Sequence, residues 1–301
     1  METQLSDTKS LSVDKPAKKR LVNWDLLRAI SMFAVVVVHM GGYLGPIGGV
    51  PTNAISTLAI ICDPIFFVLS GYFALRPLKT SLSKYYIRKF SSIVLPLFLY
   101  SLLLCVYYFW SSGLSLVGYI EYFRNVLTPW WFIPCLIPFL IFAPFLFQCL
   151  KSLSDEWVKL LAKLGIALSL WGIVGCFLAW AFNVTGHATL GRALGICTTL
   201  IPATLVPNSY IIYFCLGYFI RRLIPILSDR RKNQHIVLGL VCWVLDVAFG
   251  HFGINRVDPS YAWLSATVAI FILFDRIEIS DGIGARAIGW AAKRSHSIYL
   301  L

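Results

Sequence analysis

An arginine and a histidine lie on one face of the first apolar segment of the chain. Arg28 and His39 are eleven residues apart, and eleven helical steps of about 100° leave their side chains only about 20° apart around the axis. The rise of a helix separates them by roughly 16 Å along that axis. A guanidinium carries a permanent positive charge, whereas a neutral imidazole accepts a proton near physiological pH. The spacing therefore indicates a cation that could hold an anionic substrate and, further along the same face, a general base.

Structural interpretations of these residues stay open at this point. Arg28 could extend its long side chain to the membrane surface, and His39 could be an interfacial residue. Asp63, in the second apolar segment, could cap a helix at a break marked by Pro64,. It could also orient His39, as carboxylates do for catalytic histidines, or serve as a counter-ion for Arg28.

Two tryptophans, Trp130 and Trp131, open the fourth apolar segment. Tryptophan at the mouth of a membrane span is commonly an interfacial anchor. The indole ring can also stack on a sugar, so these residues are either anchors or contacts for a carbohydrate.

The composition places all of these residues in a membrane. Of the 301 residues, 58% are hydrophobic and only 13% are charged, and the mean hydropathy is +0.75. This excludes a disordered chain, a coiled coil and an ordinary soluble enzyme, whose surface needs more charged residues. Because an ionisable side chain within a span is costly, each one marks a candidate functional site.

The apolar runs predict an all-α, polytopic bundle with eight complete spans and the start of a ninth. The polar residues 1–20 are predicted to form a disordered cytoplasmic head, followed by a transmembrane domain over 21–301 that is incomplete at its C-terminus. Residues 183–208 are predicted to be an external excursion, a re-entrant segment or a helical hairpin. The predicted spans are 21–44, 54–75, 91–110, 131–149, 164–182, 209–224, 236–251 and 261–274, with a ninth that begins near Ser295.

The basic residues alternate between loops, which predicts the orientation. Of the 26 Lys and Arg residues, 22 fall in five loops that all lie on one side of the predicted spans. The positive-inside rule places that side, and the N-terminus, in the cytoplasm. The net charge of +12 then reflects topology and contact with anionic lipid, not nucleic acid. The five loops are 1–21, 76–90, 150–163, 221–235 and 275–295.

The eight cysteines form no CxxC pair, and nearly all lie in apolar runs. We therefore interpret them as small buried hydrophobic residues, and expect neither a metal site nor a bound cofactor.

Several segments resemble the membrane-bound acyltransferase-3 family. The first is Arg28-x10-His39 within NWDLLRAISMFAVVVVHM, and the second is DPIFFVLSGYFALRP, which is similar to the family's second span. The segment YYIRKFSSIVLP resembles its basic loop and third span. Shorter similarities follow in the family's order in PWWFIPCLI, YFCLGYFIRR and SHSIYLL.

This resemblance implies ten spans and the transfer of an acyl group, often acetyl from acetyl-CoA, to a hydroxyl of a cell-envelope carbohydrate or related acceptor. It implies that His39 and Arg28 are the family's first-span histidine and arginine. Ser91 and Ser92 stand where its third-span motif usually has an arginine. Arg88 and Lys89 are therefore the expected substitutes in binding acyl-CoA, which is a co-substrate.

Together these features predict an O-acetyltransferase of the cell membrane, with His39 as general base and Asp63 as its orienting carboxylate. Trp130 and Trp131 are the expected acceptor contacts. Transfer is predicted to be direct, because no Ser or Cys is placed to form a covalent acyl-enzyme. The alternative is a transporter or flippase for a glycan or lipid-linked substrate, since such proteins also contain charges within spans and broken helices.

Overall fold

A computed structural model describes residues 21–44, 52–113, 115, 117, 118, 120, 121, 131–200, 210–254 and 258–300. Within these ranges the regular structure is helical and contains no strand, which confirms the predicted all-α class. The predicted head at 1–20 and Trp130 lie outside the described residues.

The helices with described bounds form a bundle in which most spans are single helices. Two short turns of other types are present in the described chain, a π-helical turn at Phe90–Val94 and a 3-10 turn at Ile224–Ile226. In chain order the helices are α1 Val22–Leu44, α2 Thr52–Ala59, α3 Cys62–Ala74, α4 Leu82–Lys89, α5 Leu95–Ser112, α6 Phe132–Lys151, α7 Asp155–Val184, α8 Ala188–Leu200, α9 Ile211–Leu223, α10 Asp229–His251, α11 Trp263–Asp275 and α12 Ile283–Leu300.

Six helical segments of the described chain are long and apolar enough to cross a membrane. The remaining two predicted spans, 209–224 and 261–274, form the 13-residue helices α9 and α11, which are shorter than the ~20 residues that cross a bilayer core. Eight complete spans therefore stay a prediction. The six segments are Val22–Met40, Ala54–Ala74, Leu82–Tyr108, Phe132–Lys151, Asp155–Val184 and Asp229–His251.

The second span is broken where Pro64 predicts a break. Helix α2 ends at Ala59 and α3 begins at Cys62. Pro64 has no N–H to donate to the carbonyl four residues earlier, and the Asp63 N–H donates instead to the Ile60 carbonyl at 3.1 Å. Asp63 lies in the first turn of α3, but the N-cap residue is Ile61 and no side chain caps it. The carboxylate is therefore near the positive end of the α3 dipole without being its cap.

The segment after the fifth span begins with a helix that folds back along that span, and the choice between the predicted alternatives stays open. Helix α7 ends at Val184, and α8 begins at Ala188. Gly186 has a φ of +85°, a left-handed conformation that glycine adopts without strain. The side chain of Thr198 lies against Gly175, so α8 folds back along α7. Residues 201–208 of the predicted segment lie outside the described ranges.

The last helix begins earlier than predicted. Helix α12 starts at Ile283, whereas the apolar pattern predicts a start near Ser295. The charges on Arg286, Lys293 and Arg294 make the first two-thirds too polar to read as a span. A helix needs only one apolar face to pack, however, and Ala292 and Ser295 are buried on that face.

Helices α3 and α9 lie in backbone contact and run in the same direction. Phe67 stacks on Tyr210, with ring centroids 4.6 Å apart, and further along both helices the Arg221 side chain reaches the Leu75 carbonyl. Between these points Gly71 lies against the carbonyl of Phe214. The same direction for these two helices agrees with the predicted alternation, in which both lead to a basic loop.

The four predicted basic loops within the described residues, 76–90, 150–163, 221–235 and 275–295, lie at one end of the bundle, called here the basic end. Arg222 pairs with Asp155 at 2.5 Å, which joins the end of α9 to the start of α7. Lys232 lies 3.9 Å from Asp275, which joins the start of α10 to the end of α11. Trp24 near the start of α1 also packs here. Its ring lies 5.2 Å from Tyr72 and 5.3 Å from Phe271, near the ends of α3 and α11.

The close approach of α3 and α9 predicts that Gly71→Ala destabilises the protein. A Cβ atom at this position would overlap the Phe214 carbonyl, so the two helices must separate at a cost of about 1–3 kcal/mol. The measurement is the midpoint of thermal unfolding of the purified protein in detergent. Gly284→Ala is the matched control, because that glycine is exposed and a Cβ atom added there would meet nothing within 4 Å. Equal midpoints for both variants would contradict the contact.

Candidate functional site

The face of α1 that carries Arg28 and His39 packs against α3. Met32 and Val35 lie between them on this face and are 5% and 7% exposed. They form one buried cluster with Cys62, and Phe66 packs against this cluster. An apolar contact between α1 and α3 therefore lies between the two polar residues.

His39 lies one turn beyond Val35 and is exposed. Asp63 is half-buried, and its carboxylate accepts a long hydrogen bond of 3.5 Å from the Cys62 thiol. Among the described residues no hydrogen bond joins His39 to Asp63. The role of Asp63 in orienting His39 stays a prediction.

Asp63 belongs to a cluster of aromatic and acidic residues. We call it the Tyr210 cluster; its members are Asp63, Phe67, Trp131, Tyr210 and Asp258. Phe67 lies one turn after Asp63 and stacks on Tyr210 at an interplanar angle of 21°. The Tyr210 hydroxyl donates a hydrogen bond to Asp258, and Asp258 lies within electrostatic range of Asp63.

Trp131 belongs to this cluster through its ring contacts. Its centroid lies 5.3 Å from that of Tyr210 and 6.1 Å from that of Phe67, and its side chain is half-buried. These contacts turn the indole towards the bundle, which an interfacial anchor would not need. The structure thus places one predicted acceptor contact, Trp131, near Phe67, which lies one turn from the predicted catalytic residue Asp63.

Sequence reasoning did not find Tyr210 or Asp258. Tyr210 lies just before the YFCLGYFIRR segment, and Asp258 is in a loop, 48 residues further along the chain. Hydrogen bonds to the buried Asp246 hold the residues that follow Asp258 in place. Asp246 is 1% exposed, and it accepts hydrogen bonds from the Ser260 hydroxyl at 2.5 Å and from the Trp263 indole at 2.9 Å. The neutral donors satisfy a carboxylate that would otherwise be costly to bury.

At the other end of this face, Arg28 meets the end of α3. Its guanidinium lies 3.6 Å from Asp25 and 5.4 Å from the ring centroid of Phe73. Arg76, two residues beyond α3, lies 5.9 Å from the same ring centroid. Lys89 is half-buried, lies over the Tyr85 ring at 5.8 Å, and is within electrostatic range of Arg76.

Of the three predicted donor-binding residues, Arg28 and Lys89 therefore lie in one region of the described chain, and Arg88 does not join them. Arg28 and Lys89 are both neighbours of Arg76, which the sequence pattern marks only as a loop charge. Arg88 is exposed and has no salt bridge among the described residues. We name Arg28, Phe73, Arg76 and Lys89 the Phe73 cluster.

Arg221 holds the end of α3 in place beside this cluster. Its guanidinium donates to the Tyr72 carbonyl at 2.8 Å and to the Leu75 carbonyl. These carbonyls belong to the last turn of the helix and its C-cap, where no intrahelical donor is available. A planar fork with several donors suits two neighbouring carbonyls, and its positive charge suits the negative end of the helix dipole.

A comparison with known families gives one match over the whole described bundle. The profile of a family described as an acyltransferase domain, of the acyltransferase-3 type, matches residues 21–301. No curated protein and no solved structure matches the chain.

The geometry of Arg221 predicts that Arg221→Lys is destabilising although the charge is kept. An ammonium group lacks the planar fork and cannot reproduce both hydrogen bonds, which we expect to cost about 1–3 kcal/mol. The measurement is thermal unfolding in detergent, with Arg286→Lys in the exposed part of α12 as the control. An unfolding midpoint for Arg221→Lys equal to that of the control would show that the two carbonyls do not depend on the guanidinium.

Proposed function

The chain belongs to the acyltransferase-3 family of membrane acyltransferases, and we propose that it transfers an acetyl group from cytoplasmic acetyl-CoA to a hydroxyl of a cell-envelope carbohydrate. The family match confirms the predicted family and makes the chain a multi-pass membrane acyltransferase. The donor, the acceptor and the catalytic base are proposed. One observation carries the proposal: the α1 face that packs on α3 begins at the cationic Phe73 cluster and ends at His39.

The donor is proposed to enter from the basic end. The positive-inside rule places this end in the cytoplasm, where acyl-CoA is available. The phosphates of CoA carry several negative charges, and arginine and lysine bind phosphate by charge-assisted hydrogen bonds. Arg28, Arg88 and Lys89 are the proposed donor-binding residues. The pantetheine arm would then extend along α1 towards His39.

The reaction is proposed to be a direct transfer with His39 as general base. Its neutral imidazole removes the proton of the acceptor hydroxyl while the oxygen attacks the thioester carbonyl. The C–S bond then breaks, and the CoA sulfur leaves as a thiolate that takes up the proton from the imidazolium. Asp63 is the proposed partner that stabilises the charged imidazole and fixes its tautomer.

The packing between Arg28 and His39 sets a condition on this reaction. Met32 and Val35 are buried in a cluster with Cys62, so a pantetheine arm that follows this face to His39 must displace them, which requires α1 to move away from α3 in this region. The described chain is then a closed state, and donor binding supplies the free energy for opening.

The acceptor is proposed to bind at the Tyr210 cluster. Aromatic rings offer flat apolar faces that suit the C–H groups of a sugar, and carboxylates accept hydrogen bonds from its hydroxyls. Trp131 supplies such a ring, with Asp63 and Asp258 close to it. Trp130, the neighbouring residue in the chain, is the second proposed contact.

Replacement of His39 by alanine is expected to reduce acetyl transfer by about 10²–10⁴-fold, the usual contribution of a general base. The measurement is transfer of radiolabelled acetyl from acetyl-CoA to envelope glycan in membranes that contain equal amounts of inserted protein. His187→Ala, an exposed histidine in the α7–α8 turn, is the matched control and should keep full activity.

Two results would oppose the proposed function in different ways. Full activity in His39→Ala protein would remove this residue as the base. If the purified wild-type protein neither bound acetyl-CoA nor hydrolysed it, the acetyl-CoA donor would be wrong.

The proposed orientation predicts opposite labelling of two exposed loops. In a variant without native cysteines, Lys79→Cys should react with a membrane-impermeant maleimide only after the cells are permeabilised. His187→Cys should react in intact cells, because the α7–α8 turn lies on the other side of the bundle from the basic end. The reverse pattern would invert the topology and place the donor-binding residues outside the cytoplasm.

A further inference from the structure

Cations from four segments of the chain converge around the C-terminal end of α3. The guanidinium groups of Arg28 and Arg76 both lie within 6 Å of the Phe73 ring centroid, so they are at most about 11 Å apart. Lys89, from the end of α4, lies within electrostatic range of Arg76. Arg76 is also within electrostatic range of Arg221.

The described carboxylates near these cations do not balance their charge. Asp25 lies 3.6 Å from Arg28. Asp275 is within electrostatic range of Tyr72 near the end of α3, but it pairs with Lys232 at 3.9 Å. No carboxylate of the described chain lies within 4 Å of Arg76 or Lys89. Like charges held together repel one another, and the repulsion grows as water is excluded, so this arrangement favours a bound anion.

Arg76 is available to such an anion. The backbone carbonyls at the end of α3 accept hydrogen bonds from Arg221, so Arg76 is not needed to cap the helix. Its side chain is exposed, and its contact within the described chain is the Phe73 ring. A guanidinium that rests on a ring keeps its N–H donors free at the edge, where they can form two parallel hydrogen bonds to a phosphate.

From this arrangement we propose that Arg76 is a phosphate-binding residue of the donor site, acting together with Lys89. The inference rests on the proposed function, because it takes the phosphate to be one of those of acyl-CoA. Arg28 shares the Phe73 ring with Arg76 and lies on the face that leads to His39. A phosphate bound between Arg76 and Lys89 would therefore place the rest of the donor at the start of that face.

A phospholipid headgroup offers the same phosphate chemistry at the membrane surface. The location of the cluster favours the donor, because Arg28 is half-buried at the contact of α1 with α3 and lies on the face that carries His39.

The test measures CoA binding by the purified full-length chain in nanodiscs of phosphatidylcholine alone and of phosphatidylcholine with phosphatidylglycerol. The variants are Arg76→Gln, which removes the charge, and Arg76→Lys, which keeps it. Arg286→Gln, an exposed arginine of α12, is the matched control. In the discs without anionic lipid, Arg76→Gln is expected to weaken CoA binding at least about tenfold, the effect of losing one charge-assisted hydrogen bond. Arg76→Lys should recover part of the affinity, and the control should bind as the wild type does.

A second measurement separates donor binding from folding and chemistry. The KM for acetyl-CoA should rise about tenfold in Arg76→Gln protein, while kcat and the thermal unfolding midpoint stay close to those of the wild type. Equal CoA affinity of Arg76→Gln and wild type in both lipids would overturn the inference. It would also be overturned if Arg76→Gln differed from the wild type in CoA affinity only in the discs with phosphatidylglycerol, because the bound phosphate would then belong to lipid. Failure of the wild type itself to bind CoA would instead overturn the proposed donor.

Discussion

The contact between α3 and α9 determines the positions of both proposed substrate sites. Glycine at Gly71 lets the backbone of α3 touch that of α9, and a residue with a side chain would hold the helices apart. Helix α3 carries Asp63 near its start and is followed by Arg76. Tyr210 is the N-cap residue of α9, and Arg221 lies in its last turn. Any change in the distance between these two helices would therefore shift the acceptor and donor regions together.

A second constraint acts on the backbone, because lipid offers no hydrogen-bonding partner. At Pro64 the helix is broken, and the Asp63 N–H satisfies the carbonyl three residues earlier by a hydrogen bond. At the end of α3 the guanidinium of Arg221 donates a hydrogen bond to the Tyr72 carbonyl. Both places lie next to the residues proposed to act on substrate, so the irregular backbone is where polar side chains enter the bundle.

Much of this arrangement could be predicted from the sequence, because it depends on local periodicity and charge. The position of Arg28 and His39 on one helix, the break at Pro64 and the gathering of basic loops at one end all follow from short-range patterns. The pairing of Tyr210 with Asp258 could not be predicted, since it joins residues 48 positions apart and no periodic pattern connects them. Arg76 was missed for a related reason. Its position in a basic loop indicated only the orientation of the chain in the membrane, and its proposed role in phosphate binding depends on Arg28 and Lys89, which lie on two other segments.

The apolar packing of Met32 and Val35 on Cys62 has a consequence for the membrane itself. An enzyme that takes its donor from one side and acetylates an acceptor on the other needs a route through the bilayer. A permanently open, water-filled route would let protons and ions leak and would dissipate the electrochemical gradient. In the proposed reaction the buried side chains of α1 and α3 lie across that route, so the residues that the acyl donor displaces would also keep the membrane electrically tight between turnovers.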